Sequence, residues 1–210
     1  NDATGDATGV SFQHAVPELH NALPFSGRAE AVVVAAGTYT PVTPADPANV
    51  TDEERQTAFR ITGTQSGAQI YGGWSGSVSF RDRDAVETAL NNRDLVAHET
   101  ILSGNIDDDA STNAENSYNV IVMRATSTSI TANTVIDGFT IRDGNANDDQ
   151  PGAGDPSDAG GGFHLASLTN DARPTLRNLR ITQNAAINGG GVYIDSFLGT
   201  AAPLLSNVIV

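Results

Sequence analysis

The side chains able to do acid–base, metal or covalent chemistry are few in type in this 210-residue chain: 4 histidines, 25 carboxylates and 11 basic residues, every one of them arginine. There is no cysteine, so a thiolate nucleophile, a thiolate zinc site and a disulfide are all excluded. His14, His20, His98 and His164 are scattered without metal-ligand spacing, and no phosphate loop, G-x-S-x-G elbow or H-E-x-x-H helix occurs. Asp107-Asp108 and Asp148-Asp149 are adjacent carboxylates in turn-rich stretches of an acidic chain. The alternation Asn105, Asp107, Asp109 could turn three oxygen ligands toward one hard cation, calcium being the expected ion. Ala110 stands where an EF-hand loop carries glycine, so this is not an EF-hand, and a solvated turn is the plainer reading. Asp143-Gly144-Asn145-Ala146-Asn147 repeats the alternation. There Asp148 takes the glycine position and Gly154 the place of the bidentate glutamate.

Charge excludes several partners. The net charge is −14, which repels nucleic-acid phosphates and anionic membrane surfaces. The longest apolar run, Ala31 to Ala36, is far too short to span a bilayer. An acid excess with arginine retained and lysine lost fits adaptation to salt; a GC-rich genome is the competing explanation. Asn49-Val50-Thr51 is an N-glycosylation sequon, in keeping with an extracellular setting.

The elements that must carry these residues emerge from self-comparison. Gly160-Gly161-Gly162-Phe163-His164-Leu165 returns 29 residues later as Gly189-Gly190-Gly191-Val192-Tyr193-Ile194. Pro174 to Ile181 returns at the same shift as Pro203 to Val210. Phe139-Thr140-Ile141 matches Leu179-Arg180-Ile181 at a shift of 40, the excess falling in the Asp/Gly/Pro-rich stretch between Ala146 and Ala159. Side chains alternate along a strand. Phe163 and Leu165, Val192 and Ile194, and Phe139, Ile141, Leu176, Leu179, Ile181 and Val208 are therefore expected in one core. Strands this short bury their apolar face only by stacking copies. The expected class is thus all-β, a solenoid of parallel strands. Asn178 should lie over Asn207 in an amide ladder, and Arg177 over Asp137 as an inter-strand ion pair. The glycine triplets suit positive φ or close backbone approach.

His164 and Tyr193 then occupy equivalent outward positions, where they either offer rings to a sugar face or pack on each other. Trp74 is expected in the core. The Thr-rich stretch 126–134 forms no array, because Thr140, Arg180 and Ile209 share one position. Upstream, Val32–Val34, Phe59–Thr62, Ala68–Tyr71, Thr100–Ser103 and Asn119–Met123 are strand candidates. Ala15, Leu19, Ala22 and Leu23 recur at helical spacing, predicting a capping helix over 13–24. Thr51 with Glu54, and Asp84 with Glu87, have capping-box spacing ahead of short helices in loops outside the stack.

The chain resembles the right-handed parallel β-helix surface proteins of the pectate-lyase-like superfamily, in particular secreted bacterial and archaeal proteins related to polymorphic outer-membrane proteins. The stretches that carry the resemblance run in order from Asp6–Leu23 through Val32–Pro41, Ala68–Ser77, Thr100–Asp109, Asn116–Met123 and Thr134–Ala146 to the two glycine triplets. Ile181-Thr182-Gln183-Asn184 resembles the F-x-x-N element of that group with Ile for Phe. The resemblance implies one β-helix domain over 1–210, with a cap region over 1–30 and coils over 31–210, cut from a longer chain. It implies an extracellular or cell-surface location and a non-catalytic role as stalk, adhesin or glycan-contacting surface. Its partners would be a glycan or cell-surface ligand and, at the solenoid ends, other domains or neighbouring subunits. No membrane insertion is expected of this segment. Two alternatives stay open: a polysaccharide lyase or glycoside hydrolase of the superfamily, and a subunit of an extracellular assembly. Against the enzyme stand the missing lysine and the missing G-H-G and R-I-K elements of the related hydrolases. No catalytic residue is therefore assigned. His164 and Tyr193 are the candidate ligand contacts, Asn105, Asp107 and Asp109 the candidate calcium ligands.

Overall fold

Residues 16, 18–26, 31–77, 83–151 and 155–210 are described in the computed structural model. The chain is mostly β, with parallel sheets and few helices. The strands are β1 (Val32–Ala35), β2 (Gly37–Tyr39), β3 (Phe59–Thr62), β4 (Gln69–Trp74), β5 (Thr100–Ser103), β6 (Ile121–Ala125), β7 (Val135–Arg142), β8 (Asn145–Ala146), β9 (Phe163–Ser167), β10 (Thr175–Thr182), β11 (Ala185–Ala186), β12 (Val192–Ser196) and β13 (Leu204–Ile209). A first sheet runs β1-β4-β7-β10-β13, with β2 paired to β5 and β5 to the end of β7. A second runs β3-β6-β9-β12, and β8 and β11 form a small third. All the strand pairs are parallel.

The internal copies pair as their spacing predicts. Phe163 faces Val192, His164 faces Tyr193 and Leu165 faces Ile194. Leu179 faces Val208 on one side and Phe139 on the other, and Arg180 lies between Thr140 and Ile209. Alternation sends Phe139, Ile141, Phe163, Leu165, Leu176, Leu179 and Ile181 into one buried cluster, against which Val192 and Val208 pack. Ile194, expected inside, is exposed, because it lies on the outermost strand of the second sheet.

Turn chemistry holds the copies in step. Gly160 and Gly189 both adopt left-handed φ, 66° and 58°. A Cβ on Gly161 would stand 2.2 Å from the Ala185 carbonyl oxygen, so only glycine fits there. Asn178 and Asn207 are left-handed as well, each at φ 52°, a conformation asparagine tolerates better than most residues. The Asn207 amide donates to Asn178 Oδ1 at 2.8 Å, which is the expected ladder.

The helices are short. The first, α1 (Leu19–Ala22), continues as a 3₁₀ turn over Leu23–Phe25. It is shorter than the helix expected over 13–24, and residues 1–15 and Pro17 lie outside the described residues. Leu19 and Leu23 join the main core, lining one small gap with Phe59, Ile61 and Ile70. The helix α2 (Asp52–Arg55) carries the capping box of Thr51 and Glu54. In α3 (Arg83–Ala89), Asp84 lies within the first turn rather than at the cap. The insertion containing α3 covers the outer face of the first sheet. There Tyr71, Trp74, Val86 and Val135 form a second buried cluster, so Trp74 is buried but outside the main core.

Candidate functional site

Polar side chains gather at three places. The first is the outer face of the first sheet. Alternation on β7 puts Asp137 opposite the core-facing Ile136, and the insertion closes over it, leaving its side chain 1% exposed. The expected partner, Arg177 on β10, donates through Nε to Asp137 Oδ2 at 2.7 Å. Two further donors complete the carboxylate: Arg93 Nη2 at 2.9 Å and Asn178 Nδ2 at 2.8 Å, both to Oδ1. Arg93 is itself 3% exposed. It spends its other N–H groups on the carbonyls of Gly72 and Leu90 and stands over the Trp74 ring, 5.5 Å from its centroid. Burying a carboxylate is costly unless it is paired and hydrogen-bonded, and here it is both. A guanidinium whose Nε–H is given to a buried carboxylate is not a base poised to take a substrate proton. Spacing foretold Arg177; Arg93 belongs to no repeat copy, and the sequence carried no signal for it.

The second place is the outer face of the second sheet. His164 and Tyr193 pack on each other, ring centroids 5.6 Å apart and planes within 7°. His164 is buried, and its Nδ1 has no hydrogen-bond partner among the described residues. Burial, reinforced by the nearby Arg124 charge, pushes the His164 pKa down to about 4, so the ring is neutral near pH 7. Asp158 and Asp195 oppose that shift without reversing it. Of the pair, Tyr193 is the more accessible to a ligand.

The third place is the loop that leaves the stack after β5. Asp107 Oδ1 accepts from the Asp109 N–H at 3.2 Å, and Asp109 Oδ1 accepts from the Ser111 N–H at 2.8 Å. Both carboxylates thus cap successive local turns. The Ser111 contacts hold the Asp109 carboxyl below its ordinary pKa. Asn105 differs: its Oδ1 is buried and has no hydrogen-bond partner among the described residues. No group of three His, Cys, Asp or Glu side chains able to hold a metal ion occurs among the described residues.

Beside this loop lies a cluster that sequence reasoning missed. Arg55, from the end of α2, stacks on Tyr118 at 4.1 Å from the ring centroid. It donates to the Asn116 carbonyl at 2.9 Å and to Asn147 Oδ1 at 2.8 Å. The Tyr118 hydroxyl donates to Asp52. Burial and that carboxylate push the tyrosine up to about 12. The cluster staples the α2 insertion to the stack.

The turn after β10 shows what Asn184 does. Its Oδ1 accepts from the Gly144 N–H at 2.9 Å, and its Nδ2 donates to the Ile141 and Thr182 carbonyls at 3.0 and 2.9 Å. Every polar atom of the F-x-x-N-like element's asparagine is used in closing the turn. Comparison of the chain with family models, curated proteins and solved structures found no match.

Proposed function

We propose that the chain is a right-handed parallel β-helix module of the pectate-lyase-like kind, serving non-catalytically at a cell surface as a stalk, adhesin or glycan-contacting surface. The observation that carries this reading is the parallel, in-register pairing of the internal copies, β9 on β12 and β10 on β13, in both sheets. Each copy contributes the same strands and the same turns, so copies add length without adding a cleft. The side chains that chemistry would need are spent on that stack: Asp137 is saturated by two arginines and an asparagine, and Asn184 by the turn. The glycan-contacting surface is assigned to Tyr193 with His164 beneath it, since a half-buried ring stacked by one face on a second ring can offer its other face to a sugar.

The test is a panel of uronate and neutral polysaccharides, with and without calcium, read for unsaturated products and new reducing ends. The expected result is no turnover, together with weak binding on a glycan array that Tyr193→Ala and the His164→Ala/Tyr193→Ala double variant abolish. Product formation lost in Arg177→Ala would overturn the non-catalytic reading in favour of a lyase or hydrolase.

The acidic surface belongs to the same proposal as an adaptation to salt. Raising KCl from low to molar concentration should raise the thermal midpoint as like charges are screened. A flat or falling midpoint would return the missing lysines to base composition.

A further inference from the structure

We propose that the face formed by the last copy, β12 with β13, docks a second copy of this chain, end to end about a two-fold axis. The proposal rests on the stacked-copy reading of the module and adds its partner. β12 and β13 are the last strands of the two large sheets, so no strand among the described residues pairs with their outer edges. The columns of the core run on to these strands and are laid bare there. Leu165 and Leu176 are 0% and 2% exposed, whereas the residues paired with them one copy on, Ile194 and Leu205, are 42% and 50% exposed. Among the described residues, eight of the nine exposed large hydrophobic side chains lie between Ile187 and Val210, Phe197 at 76% being the barest of the eight. Exposed apolar side chains gathered in this way mark an interaction surface.

Charge decides the occupant. The stretch from Ile187 to Val210 holds one charged side chain, Asp195, of the 11 basic and 25 acidic residues in the chain. Asp195 shares the outer face of β12 with Tyr193, so it stands at the rim of the end and not in its centre. An apolar centre depleted of charge is the composition of a protein interface core. The net charge of −14 makes two copies repel each other over the rest of their surface, and this end is where they meet without bringing carboxylates together. A strongly charged partner finds nothing there to complement. The opposite end sets the symmetry. There β3 is the edge strand of the second sheet, and α1 with its 3₁₀ extension covers it, Leu19 and Leu23 being buried beside Phe59 and Ile61. A head-to-tail contact would need that covered end. The contact is therefore like with like, a closed dimer and not a fibre. Edge strands related by a two-fold axis run antiparallel, and the outer N–H and C=O groups of β13 can pair with those of its copy.

The test is sedimentation equilibrium of the whole chain over a range of concentrations, in low and in molar KCl. A monomer–dimer equilibrium should appear and tighten with salt, because screening removes the repulsion between copies and leaves the apolar contact. Leu205→Glu and Ile194→Glu should each raise the dissociation constant at least about thirtyfold, the effect of losing one interface hot spot. Both side chains are already half exposed in one copy, so circular dichroism of the dilute variants should match that of the natural chain. Val96→Glu, at the exposed apolar residue outside the last copy, should leave the dimer unchanged. A monomer at every concentration and salt would hand the face to a partner of different sequence and overturn the proposal. Growth beyond the dimer would mean head-to-tail contact, and a dimer that loosens with salt would be held by ion pairs; either overturns it. So does a dimer that both folded variants retain. The glycan array reads the outer face separately, so failure of the dimer and failure of the glycan-contacting reading are told apart.

Discussion

The outer faces of the two large sheets bury a carboxylate and an imidazole respectively, and they keep them in opposite ways. On the first sheet Asp137 is surrounded by charge-complementary donors, Arg93, Arg177 and Asn178. On the second, His164 has an Nδ1 without a partner among the described residues, a tyrosine ring over it and a pKa pushed down to about 4. The difference follows from what covers each face. The insertion over the first sheet brings a guanidinium with it, so the carboxylate there is matched by charge. The second sheet covers His164 with the next copy of its own strand, and Tyr193 supplies area without charge. On the first sheet the insertion and the adjacent strand each bring a guanidinium to the buried carboxylate, whereas on the second the adjacent strand brings His164 only a ring.

Removing the matched charge should have the largest effect. Arg93→Ala leaves the 1%-exposed Asp137 carboxylate without its buried partner, and loss of one partner from a buried ion pair costs about 3–5 kcal/mol. Urea unfolding at neutral pH should show a midpoint lowered accordingly. A loss below about 1 kcal/mol would mean that water replaces the guanidinium and that the face is not sealed.

The next effect is that of acid on the second face. The His164 pKa is lowered from 6.5 to about 4 in the folded chain, so the unfolded chain takes up this proton first. The stability this represents is complete above about pH 6.5 and is lost as pH falls toward 4, on the order of 2–3 kcal/mol. His164→Phe preserves a ring against Tyr193 and removes the titration. Its unfolding free energy should therefore fall less than that of the natural chain between pH 7 and pH 4. Identical acid limbs would show that the ring is protonated without penalty and is open to water.

Arg177→Ala should do least. Arg177 bonds the same carboxylate as Arg93, but its side chain is 36% exposed. A solvent-screened pair of this kind contributes about 0–1 kcal/mol. Equal losses in Arg93→Ala and Arg177→Ala would break the comparison, since burial would then not be what separates them.

The sequence by itself determined whatever repeats. Two motifs returning at one spacing set the pairing of Phe163 with Val192 and of Leu179 with Val208, the ladder of Asn178 and Asn207, and the contact of Arg177 with Asp137. A stacked copy places equivalent residues one strand apart, so register can be read from spacing alone. Only the tertiary structure decided what crosses between copies and insertions. Arg93 reaches Asp137 across 44 residues and Arg55 reaches Tyr118 across 63, from loops that belong to no repeat. It decided too that His164 is buried and that Asp107 and Asp109 spend carboxylate oxygens on local turns. Spacing fixes which residues share a strand position, but the burial of a side chain and the direction of a loop depend on which distant segment closes over them.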